Sequence, residues 1–345
     1  MKPIFHAAPV NSPFEDPSVY VRIMHERRAL LFDCGDIRRL DAGHVSDITD
    51  VFITHMHIDH FIGFDILLRT LLYREQPLRV YGPAGIIACI EGKLKGYTWN
   101  LIRDYPLTIN VYEVEGDMVK RSRFAAPEGF VRIDGEPAFF DGMLLHEPLL
   151  SVSALRLSHQ VPSLGYHLKE AFHINIRTEG IEALGLATGP WLSGLKNSIR
   201  AAADETGSPE AALAQVARAG ILADGRVLKD DDIFRIVLIS RGQKMSYIMD
   251  TSPTQENISA IVEFVRGSDE LFCEAYFLED DAGRARERHH LTAAIAGRIA
   301  REAAVARLSV LHFSPKYRDA AERIYQEAGC AVPRPLCKSS APVLE

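Results

Sequence analysis

The sequence has little that would tie the chain to a membrane or to an oxidising compartment. None of its five cysteines forms a CxxC pair, and their odd number argues against both a disulfide framework and a thiolate zinc knuckle. No apolar run approaches the roughly 18 residues of a membrane span. Residues 1–9 lack the apolar core of a signal peptide. These absences predict a cytoplasmic protein with no membrane partner.

Basic residues are also scarce relative to acidic ones. Lys plus Arg is 39 and Asp plus Glu is 46, so the net charge is −7. This balance excludes a generally basic nucleic-acid coat, although it allows a local basic patch around a cleft. The other proportions are ordinary for a globular chain, with 47% hydrophobic and 25% charged residues. A chain of 345 residues makes about two domains, or one large α/β domain with insertions.

Short apolar strands alternate with helices in both halves of the chain. Strands are predicted at 29–32 and 51–54, followed by a helical stretch at about 59–74. In the second half, 233–240 and 246–249 are predicted to form a hairpin around Arg241-Gly242-Gln243. The block at about 177–233 interrupts this alternation and is predicted to be an inserted, arm-like segment. Two such halves predict one domain over 1–345, an α/β sandwich of four layers.

The strongest chemical signal is the segment Thr54-His55-Met56-His57-Ile58-Asp59-His60, directly after a predicted strand. It holds four potential metal ligands within six residues, a density that surface histidines rarely reach by chance. On a strand-to-helix loop, His55 and His57 can face one metal while Asp59 and His60 reach a second. Imidazole and carboxylate ligands without a thiolate favour zinc, and less exclusively manganese or iron.

Three further candidate ligands, His159, Asp250 and His312, each follow a predicted strand. Loops at strand ends are where an α/β scaffold presents functional groups. A single histidine at a strand end is more often a capping or packing residue. Together with the cluster at 55–60, however, these three residues are predicted to complete a binuclear site.

The order Asp33, His55-x-His57-x-Asp59-His60, His159, Asp250, His312 resembles the five-motif signature of the metallo-β-lactamase superfamily. This resemblance implies an αββα sandwich with two zinc ions between its sheets. It assigns the ligands in three sets: one zinc ion to His55, His57 and His159, the other to Asp59, His60 and His312, and the bridging position to Asp250. Asp33 is implied to support the site without being a ligand.

Finer motifs resemble ribonuclease Z, the branch that removes the 3′ trailer of precursor tRNA. They are the segments 159–166, 189–196 with its Gly-Pro pair, and 312–317, together with the motifs around Glu274 and His290. The resemblance implies that Asp59 orients the attacking hydroxide and that His290 protonates the leaving 3′ oxygen. Glu274 would orient or charge His290, and His289 is the competing donor by adjacency. The implied partners are a precursor tRNA or another phosphodiester, and a second copy of the chain in a homodimer.

Five residues are predicted to contact substrate phosphates, because hydroxyls and ammonium groups suit that partner. They are Ser163, Tyr166, Ser314, Lys316 and Lys196. Ordinary strand and turn chemistry, or a solvated charge, is the alternative for each. The chain departs from the ribonuclease Z pattern at Cys273, where His is usual, and at Lys316, where Arg is usual. The usual N-terminal Gly-Thr segment is not recognisable near 10–21.

Two other functions stay open at this point. One is a metallo-β-lactamase-fold hydrolase or phosphodiesterase acting on a small substrate such as a cyclic nucleotide, which the acidic charge favours. The other is a non-catalytic metal- or RNA-binding scaffold, against which the complete ligand set argues. The Gly-Pro segment favours precursor tRNA. The predicted cofactors are two zinc ions per chain, with manganese as the alternative.

Overall fold

The computed structural model describes residues 3–332, so Cys337 lies outside the described residues. The strands are β1 (Phe5–Pro9), β2 (Val19–Ile23), β3 (Ala29–Phe32), β4 (Ile48–Phe52), β5 (Leu78–Pro83), β6 (Thr108–Glu115), β7 (Met118–Ala125), β8 (Arg132–Phe139), β9 (Met143–His146), β10 (Leu150–Leu157), β11 (Ser163–Glu170), β12 (His173–Ile176), β13 (Ile221–Ala223), β14 (Arg226–Leu228), β15 (Val237–Ser240), β16 (Lys244–Ile248), β17 (Glu270–Glu274) and β18 (Leu308–Leu311).

The helices are α1 (Ala42–Asp47), α2 (Phe64–Leu71), α3 (Ile86–Lys95), α4 (Thr178–Ala183), α5 (Trp191–Thr206), α6 (Pro209–Ala219), α7 (Asp231–Ile236), α8 (Gln255–Phe264), α9 (Ala282–Arg288), α10 (Ala293–Glu302) and α11 (Ala321–Ala328). Short 3₁₀ helices occupy Ile58–His60, Ala126–Glu128, Glu279–Asp281 and Pro315–Ala320. Within 3–332, no helix is both long and apolar enough to cross a membrane.

Contacts within the chain define two compact units. The first, here called the site unit, comprises Ile4–Leu144, Ser153–His167 and the described part of Met245–Glu345. The second, the helical unit, comprises Leu145–Val152 and Leu168–Lys244, together with Pro3. The segment predicted as an inserted arm, about 177–233, falls within the helical unit, and its role as an arm stays a prediction.

Two large sheets carry the fold. One has eight strands in chain order, β1 to β8, with parallel pairs at its centre (β3–β4, β4–β5 and β5–β6) and antiparallel pairs at both ends. The other has six strands in the order β18-β17-β16-β11-β10-β9, and β16, β17 and β18 run parallel. Parallel neighbours place their carboxyl ends at one edge of a sheet, where loops can gather functional side chains.

Helices cover one face of each sheet. The apolar residues of α2 recur at Phe64, Leu67, Leu68 and Leu71, which is the spacing of one helix face, and all four are buried. With α1 and α3 they pack on residues from β3 to β6. On the second sheet, α8, α10 and α11 bury a separate cluster against β16 to β18. The expected four-layer α/β sandwich is therefore confirmed.

Aromatic side chains form the contact between the two sheets. Phe32 of β3 and Phe52 of β4 stack at 5.1 Å between ring centroids. The ring of Tyr166, on β11, lies 5.5 Å from Phe52, and that of Tyr247, on β16, lies 5.8 Å from Phe32. All four rings are fully buried. Such large rings remove much apolar surface from water, which stabilises the sandwich just below the loops that carry the site.

The helical unit has its own apolar core. Leu195 and Ile199 of α5 and Ala212 of α6 are fully buried, as is Ile233 of α7. Strands β12 and β15 pair antiparallel, with Ile176 opposite Val237, and β13 and β14 form a hairpin. Ser208 caps α6 by accepting a hydrogen bond from the backbone N–H of Ala211, with Pro209 in the first turn.

The predicted hairpin over 233–240 and 246–249 is wrong. Residues Asp231–Ile236 are helical, because Ile233 and Ile236 bury one face three residues apart and acidic residues occupy the first turn. Strand β15 pairs with β12, while β16 joins the six-stranded sheet. The helix expected at 59–74 is also shorter, consisting of the 3₁₀ turn Ile58–His60 and then α2.

Candidate metal centre

The predicted ligands all lie in the site unit, on loops that follow strands. His55, His57, Asp59 and His60 follow β4, and His159 follows β10. Asp250 and His312 follow β16 and β18, and both have left-handed backbones, with φ of 43° and 57°. This conformation is unfavourable for residues other than glycine and is retained where surrounding structure requires it. Here it accompanies side chains that converge on one point.

The first set of ligand atoms comes from His55, His57, His159 and Asp250. One potential ligand atom from each lies within 4.8 Å of the others. His55 Nε2 and His57 Nδ1 are 2.9 Å apart. His159 Nε2 is 3.8 Å from Asp250 Oδ2, and His55 Nε2 is 3.5 Å from the same oxygen. Three imidazoles and a carboxylate oxygen at this spacing are a donor set for one tetrahedral divalent ion.

The second set comes from Asp59, His60 and His312, whose ligand atoms also lie within 4.8 Å of one another. Asp59 Oδ2 is 3.7 Å from His60 Nε2 and 3.3 Å from His312 Nε2. The other oxygen of Asp250, Oδ1, is 3.8 Å from His60 Nε2 and 2.7 Å from His312 Nδ1. Asp250 therefore directs one oxygen to each set, as a bridging carboxylate does.

A buried network holds His60 in place. Asp33 Oδ2 is 2.7 Å from His60 Nδ1 and accepts a hydrogen bond of 3.0 Å from the Tyr247 hydroxyl. Asp33 Oδ1 accepts a hydrogen bond of 2.7 Å from the backbone N–H of Thr54. Because His60 Nδ1 donates to Asp33, its Nε2 carries the lone pair that faces Asp59 and Asp250. Asp33 is thus placed as a supporting residue, as the resemblance implies.

The donor set fits a divalent metal pair on structural grounds. His60 Nε2, Asp250 Oδ1 and His312 Nδ1 are buried atoms without a hydrogen-bond partner, even though the last two lie only 2.7 Å apart. Buried polar atoms are normally satisfied, so three unpaired atoms that face one another form an arrangement that a bound cation would satisfy. His159 also fits a metal ligand. Its Nδ1 donates to the His289 carbonyl at 3.0 Å, which leaves Nε2 with a lone pair to bind the ion.

The electrostatics differ between the two sets: neighbouring carboxylates, Asp33 for His60 and Asp250 for His312, outweigh burial and raise the pKa of these two histidines, whereas burial dominates in the first set. Burial lowers the pKa of His55 to about 2 and that of His159 to about 4, so both stay neutral. Burial alone would raise the pKa of Asp250, but the facing His312 and His60 hold it well below its ordinary value. Neutral imidazoles and ionised carboxylates are the protonation states that ligate metals.

Glu274 and His290 form a second feature beside the metal ligands. His290 Nδ1 is 2.8 Å from Glu274 Oε2, and Glu274 Oε1 accepts a hydrogen bond of 2.8 Å from the Thr251 N–H. Burial lowers the pKa of His290, but Glu274 outweighs this effect and raises it above the usual value. The ring of Tyr276 stacks on His290, with centroids 4.1 Å apart and planes 10° apart. His289, the competing donor, instead contacts the Ser252 hydroxyl at 2.7 Å.

The residues predicted to contact phosphate are scattered. Tyr166 is fully buried between the sheets and donates to the Ile53 carbonyl, so its hydroxyl is already engaged. Ser163 donates to the Asp250 carbonyl at 3.3 Å. Ser314 is buried beside His312, and Lys316 forms an ion pair with Asp281 at 2.7 Å. Lys196 lies on α5, in the helical unit.

Sequence reasoning missed Tyr247 and Tyr276. Tyr247 supports Asp33 from a position 214 residues away in the chain, and no local pattern signals such a contact. Tyr276 stands two residues after Glu274, so its proximity could have been read from the sequence. The stacking of Tyr276 on His290 could not have been read from the sequence, because the two residues belong to different segments of the chain.

Comparisons with known proteins agree with this fold. No family model matches the chain. The ribonuclease Z of Deinococcus radiodurans is 28% identical over 332 residues, which cover 94% of this chain and 95% of the relative. That of Methanosarcina acetivorans is 29% identical and covers 89% and 85%. Among solved structures, human tRNase Z, short form, has a TM-score of 0.51 at 19% identity, covering 91% of this chain and 93% of that one.

A further structure, the metallo-β-lactamase fold protein YhfI from Bacillus subtilis, has a TM-score of 0.50 at 13% identity and covers 93% and 90%. Fold and donor set together define the class: the chain has the metallo-β-lactamase fold and carries two sets of potential metal ligands. Among proteins of that fold, it resembles ribonuclease Z over most of its length. The resemblance expected from the sequence is confirmed.

Proposed function

We propose that this protein is a dinuclear zinc phosphodiesterase of the ribonuclease Z type, which removes the 3′ trailer of precursor tRNA. One observation carries the proposal. Asp250 directs one oxygen to each of two ligand sets, beside a Glu274–His290 pair, in a chain that aligns with ribonuclease Z over 94% of its length. Two metals with an adjacent acid suit attack on phosphorus and departure of an alkoxide.

The proposal distributes the ligand residues between two metal ions. His55, His57 and His159 would hold one ion, Asp59, His60 and His312 the other, and Asp250 both. Imidazole and carboxylate without thiolate support zinc, with manganese as the alternative. When bound, the two ions activate water for attack and neutralise charge on the phosphoryl oxygens. Asp59, the more exposed of the two ligand carboxylates, would also orient the attacking water.

His290 is the proposed proton donor to the leaving 3′ oxygen. Its Nδ1 is held by Glu274, and the stacked Tyr276 fixes the plane of its ring, so Nε2 is the nitrogen left to meet substrate. Glu274 favours the charged imidazolium, which is the form that can donate a proton. Because both oxygens of Glu274 are hydrogen-bonded, its role is to orient and charge His290.

The substrate and assembly parts of the proposal rest on the resemblance. Ser314 and Lys316 follow His312 directly and are proposed to contact phosphate, with Lys316 released from Asp281 on binding. The helical unit, with its Gly189-Pro190 segment and Lys196, is proposed as the arm that grips RNA. The protein is further proposed to act in the cytoplasm as a homodimer.

The test is an assay of purified, zinc-loaded protein on a precursor tRNA that carries a 3′ trailer. Cleavage next to the discriminator base is expected, and it is expected to disappear in the Asp59→Ala variant and in a chelated sample. A matched control is Asp104→Asn, which alters an exposed carboxylate outside the site. If wild-type protein with two metals bound leaves the precursor intact, the tRNA assignment is wrong.

A small phosphodiester is the second candidate substrate. Two residues predicted to contact substrate phosphates already have partners within the protein, which favours a small substrate over RNA. Lys316 pairs with Asp281, and the Tyr166 hydroxyl donates to the Ile53 carbonyl. The overall charge of −7 points the same way. Parallel assays with cyclic nucleotides decide between the two candidates: turnover of a cyclic nucleotide without cleavage of precursor tRNA would select the small substrate.

A further inference from the structure

A small cavity opens beside the metal ligands Asp59 and His312, and every residue that lines it belongs to the site unit. Its volume is about 120 Å³. This is somewhat less than the roughly 150 Å³ of an apolar cavity that accepts one benzene ring, so the pocket can receive part of a single ring and cannot receive a duplex. Phe14, Tyr276 and Pro315 form apolar walls, and Asp16 lies on the same rim.

The aromatic walls are held from behind. Phe14 packs edge-on against Phe313, with ring centroids 5.3 Å apart, and the Phe313 N–H donates to the Pro13 carbonyl at 2.7 Å. Tyr276 stacks on His290 and meets His312 edge-on at 5.1 Å. Both rings therefore have neighbours that fix their orientation. The pocket is formed before any ligand arrives, which lowers the entropic cost of binding.

Asp16 is brought close to the metal ligands by a glycine. A Cβ at Gly35 would come within 2.7 Å of both the Asp16 Cβ and the Asp59 carbonyl oxygen. Only glycine at position 35 allows the Asp16 loop to approach the Asp59 backbone this closely. Any larger residue would push the two apart, so the placement of Asp16 at the pocket is built into the backbone.

The charge of the pocket excludes a phosphate. No lysine or arginine is among its described lining residues. Glu15 is occupied, because it pairs with Arg39 and accepts from the Ser12 N–H, each at 2.8 Å. The Asp16 carboxylate accepts a hydrogen bond from the Asp36 backbone N–H and forms no ion pair within 3–332. A carboxylate with no cationic partner over aromatic walls has lone pairs left to accept hydrogen bonds, which suits an uncharged ring that donates them.

We infer that this pocket receives the nucleoside on the 5′ side of the scissile phosphate, with Phe14 and Tyr276 against its ring and the Asp16 carboxylate accepting hydrogen bonds from it. The inference rests on the proposed function. The 5′ side is chosen because Tyr276 is both a pocket wall and the ring stacked on His290, the proposed donor to the leaving 3′ oxygen. The donors are either ribose hydroxyls or an exocyclic base amine.

The test compares Asp16→Asn and Phe14→Leu with wild type on two substrates, a precursor tRNA and bis(p-nitrophenyl) phosphate. Asp16→Asn keeps the shape of the side chain and removes its charge. We expect the ratio of kcat/KM for RNA to kcat/KM for the small diester to fall about tenfold, as for loss of a charge-assisted hydrogen bond. Asp104→Asn, an exposed acid-to-amide change outside the pocket, is expected to leave the ratio as in wild type.

A second measurement does not depend on RNA cleavage. Adenosine, cytidine, uridine and 2′-deoxyadenosine are tested as inhibitors of small-diester hydrolysis by wild type and Asp16→Asn. Inhibition that weakens about tenfold in the variant supports the pocket. A difference between adenosine and its 2′-deoxy form assigns the donor to the ribose, and a preference for cytidine over uridine assigns it to the base amine.

Two outcomes overturn the inference: an unchanged substrate ratio with unchanged nucleoside inhibition, or an equal loss on both substrates with altered metal content or melting temperature. Failure of the proposed function has a different signature, in which wild type hydrolyses the small diester but cleaves no precursor tRNA. In that case, inhibition by nucleosides is the measurement that decides whether the pocket binds a nucleoside.

Discussion

Each of the two units holds a buried carboxylate–histidine pair, and the two pairs differ in what surrounds them. In the site unit, Asp33 Oδ2 lies 2.7 Å from His60 Nδ1. In the helical unit, Glu170 Oε1 lies 2.9 Å from His173 Nδ1. The second nitrogen of His60 faces Asp59 and Asp250, whereas no group of three potential metal ligands in 3–332 includes His173.

The difference shows that a hydrogen-bonded carboxylate–histidine pair does not make a metal site unless further ligands face the other ring nitrogen. Glu170 and His173 are three residues apart in sequence, and the carboxylate also accepts from the Gln243 N–H at 3.0 Å. That local pair ties strand ends together. Asp33 and His60 are 27 residues apart, on loops that also bring ligands from three other strands. A carboxylate–histidine pair therefore holds strands together in the helical unit, whereas in the site unit it orients a potential metal ligand.

The largest effect that would sharpen the comparison is expected from Asp250→Ala. Removing the carboxylate that faces both ligand sets is expected to abolish binding of at least one metal and to lower kcat/KM for a small diester about a thousandfold, because several kcal/mol of stabilisation are lost. Metal analysis and diester hydrolysis measure this. Asp204→Ala, an exposed acid on α5, is the control and is expected to retain both. Full activity in Asp250→Ala would contradict the bridging role.

The next largest effect tests the helical unit. Ile176 of β12 and Val237 of β15 are opposite each other in an antiparallel pair. Residues 177–236 can therefore be replaced by a two-residue Asn-Gly turn, which would join β12 and β15 into a hairpin. If the segment grips RNA, kcat/KM for precursor tRNA is expected to fall about a hundredfold relative to that for a small diester, since phosphate contacts supply much of RNA affinity. An unchanged ratio of the two rates would remove the arm from the proposal.

A smaller effect is expected from altering the two buried pairs directly. Asp33→Asn is expected to weaken metal affinity roughly 10–100-fold, the usual consequence of losing a partner of a ligating histidine. Glu170→Gln, the matched change in the helical unit, is expected to lower the melting temperature without altering metal affinity. Chelator competition and thermal unfolding of both variants provide the readings. The comparison fails if Glu170→Gln releases metal as readily as Asp33→Asn.

The smallest effects concern one glycine in a helix of each unit. A Cβ at Gly297, in α10 of the site unit, would lie 2.3 Å from the Ala328 carbonyl oxygen, whereas at Gly194, in α5 of the helical unit, it would meet nothing within 4 Å. Gly297→Ala is expected to destabilise by about 1–3 kcal/mol through overpacking. Gly194→Ala is expected to stabilise by about 0.5–1 kcal/mol. Denaturant unfolding measures both, and equal signs would refute the contrast.

Much of the fold was predictable because its elements carry their own periodicity. The apolar spacing of α2, the capped Ala-rich α6 and the short strands β3 and β4 are visible in the sequence and present in the structure. The hairpin expected over 233–249 failed, since an apolar run of four residues suits a buried helix as well as a strand. Which strand β15 pairs with is decided by tertiary contacts that no local window contains.

The candidate ligands were also predictable, whereas their surroundings were not. Histidine and aspartate at strand ends are recognisable by residue type and spacing, and His55, His57, Asp59 and His60 share a single loop. The pocket beside Asp59 is built from segments around residues 14, 59, 276 and 313. Nothing in any one of these segments signals the others, so the walls and charge of the pocket emerge only when the chain is folded.

The donor chemistry of this protein, and the class of scaffold that presents it, follow from residue types and local patterns in the chain. Ligand type and local spacing are properties of short segments, and hydrophobic periodicity belongs to single helices and strands. Three features depend on the tertiary structure: Asp250 faces two ligand sets, Tyr247 supports Asp33 across the sandwich, and His173 belongs to none of the potential ligand groups found within 3–332. These outcomes depend on how the two sheets pack, because packing sets the distances between residues far apart in the chain.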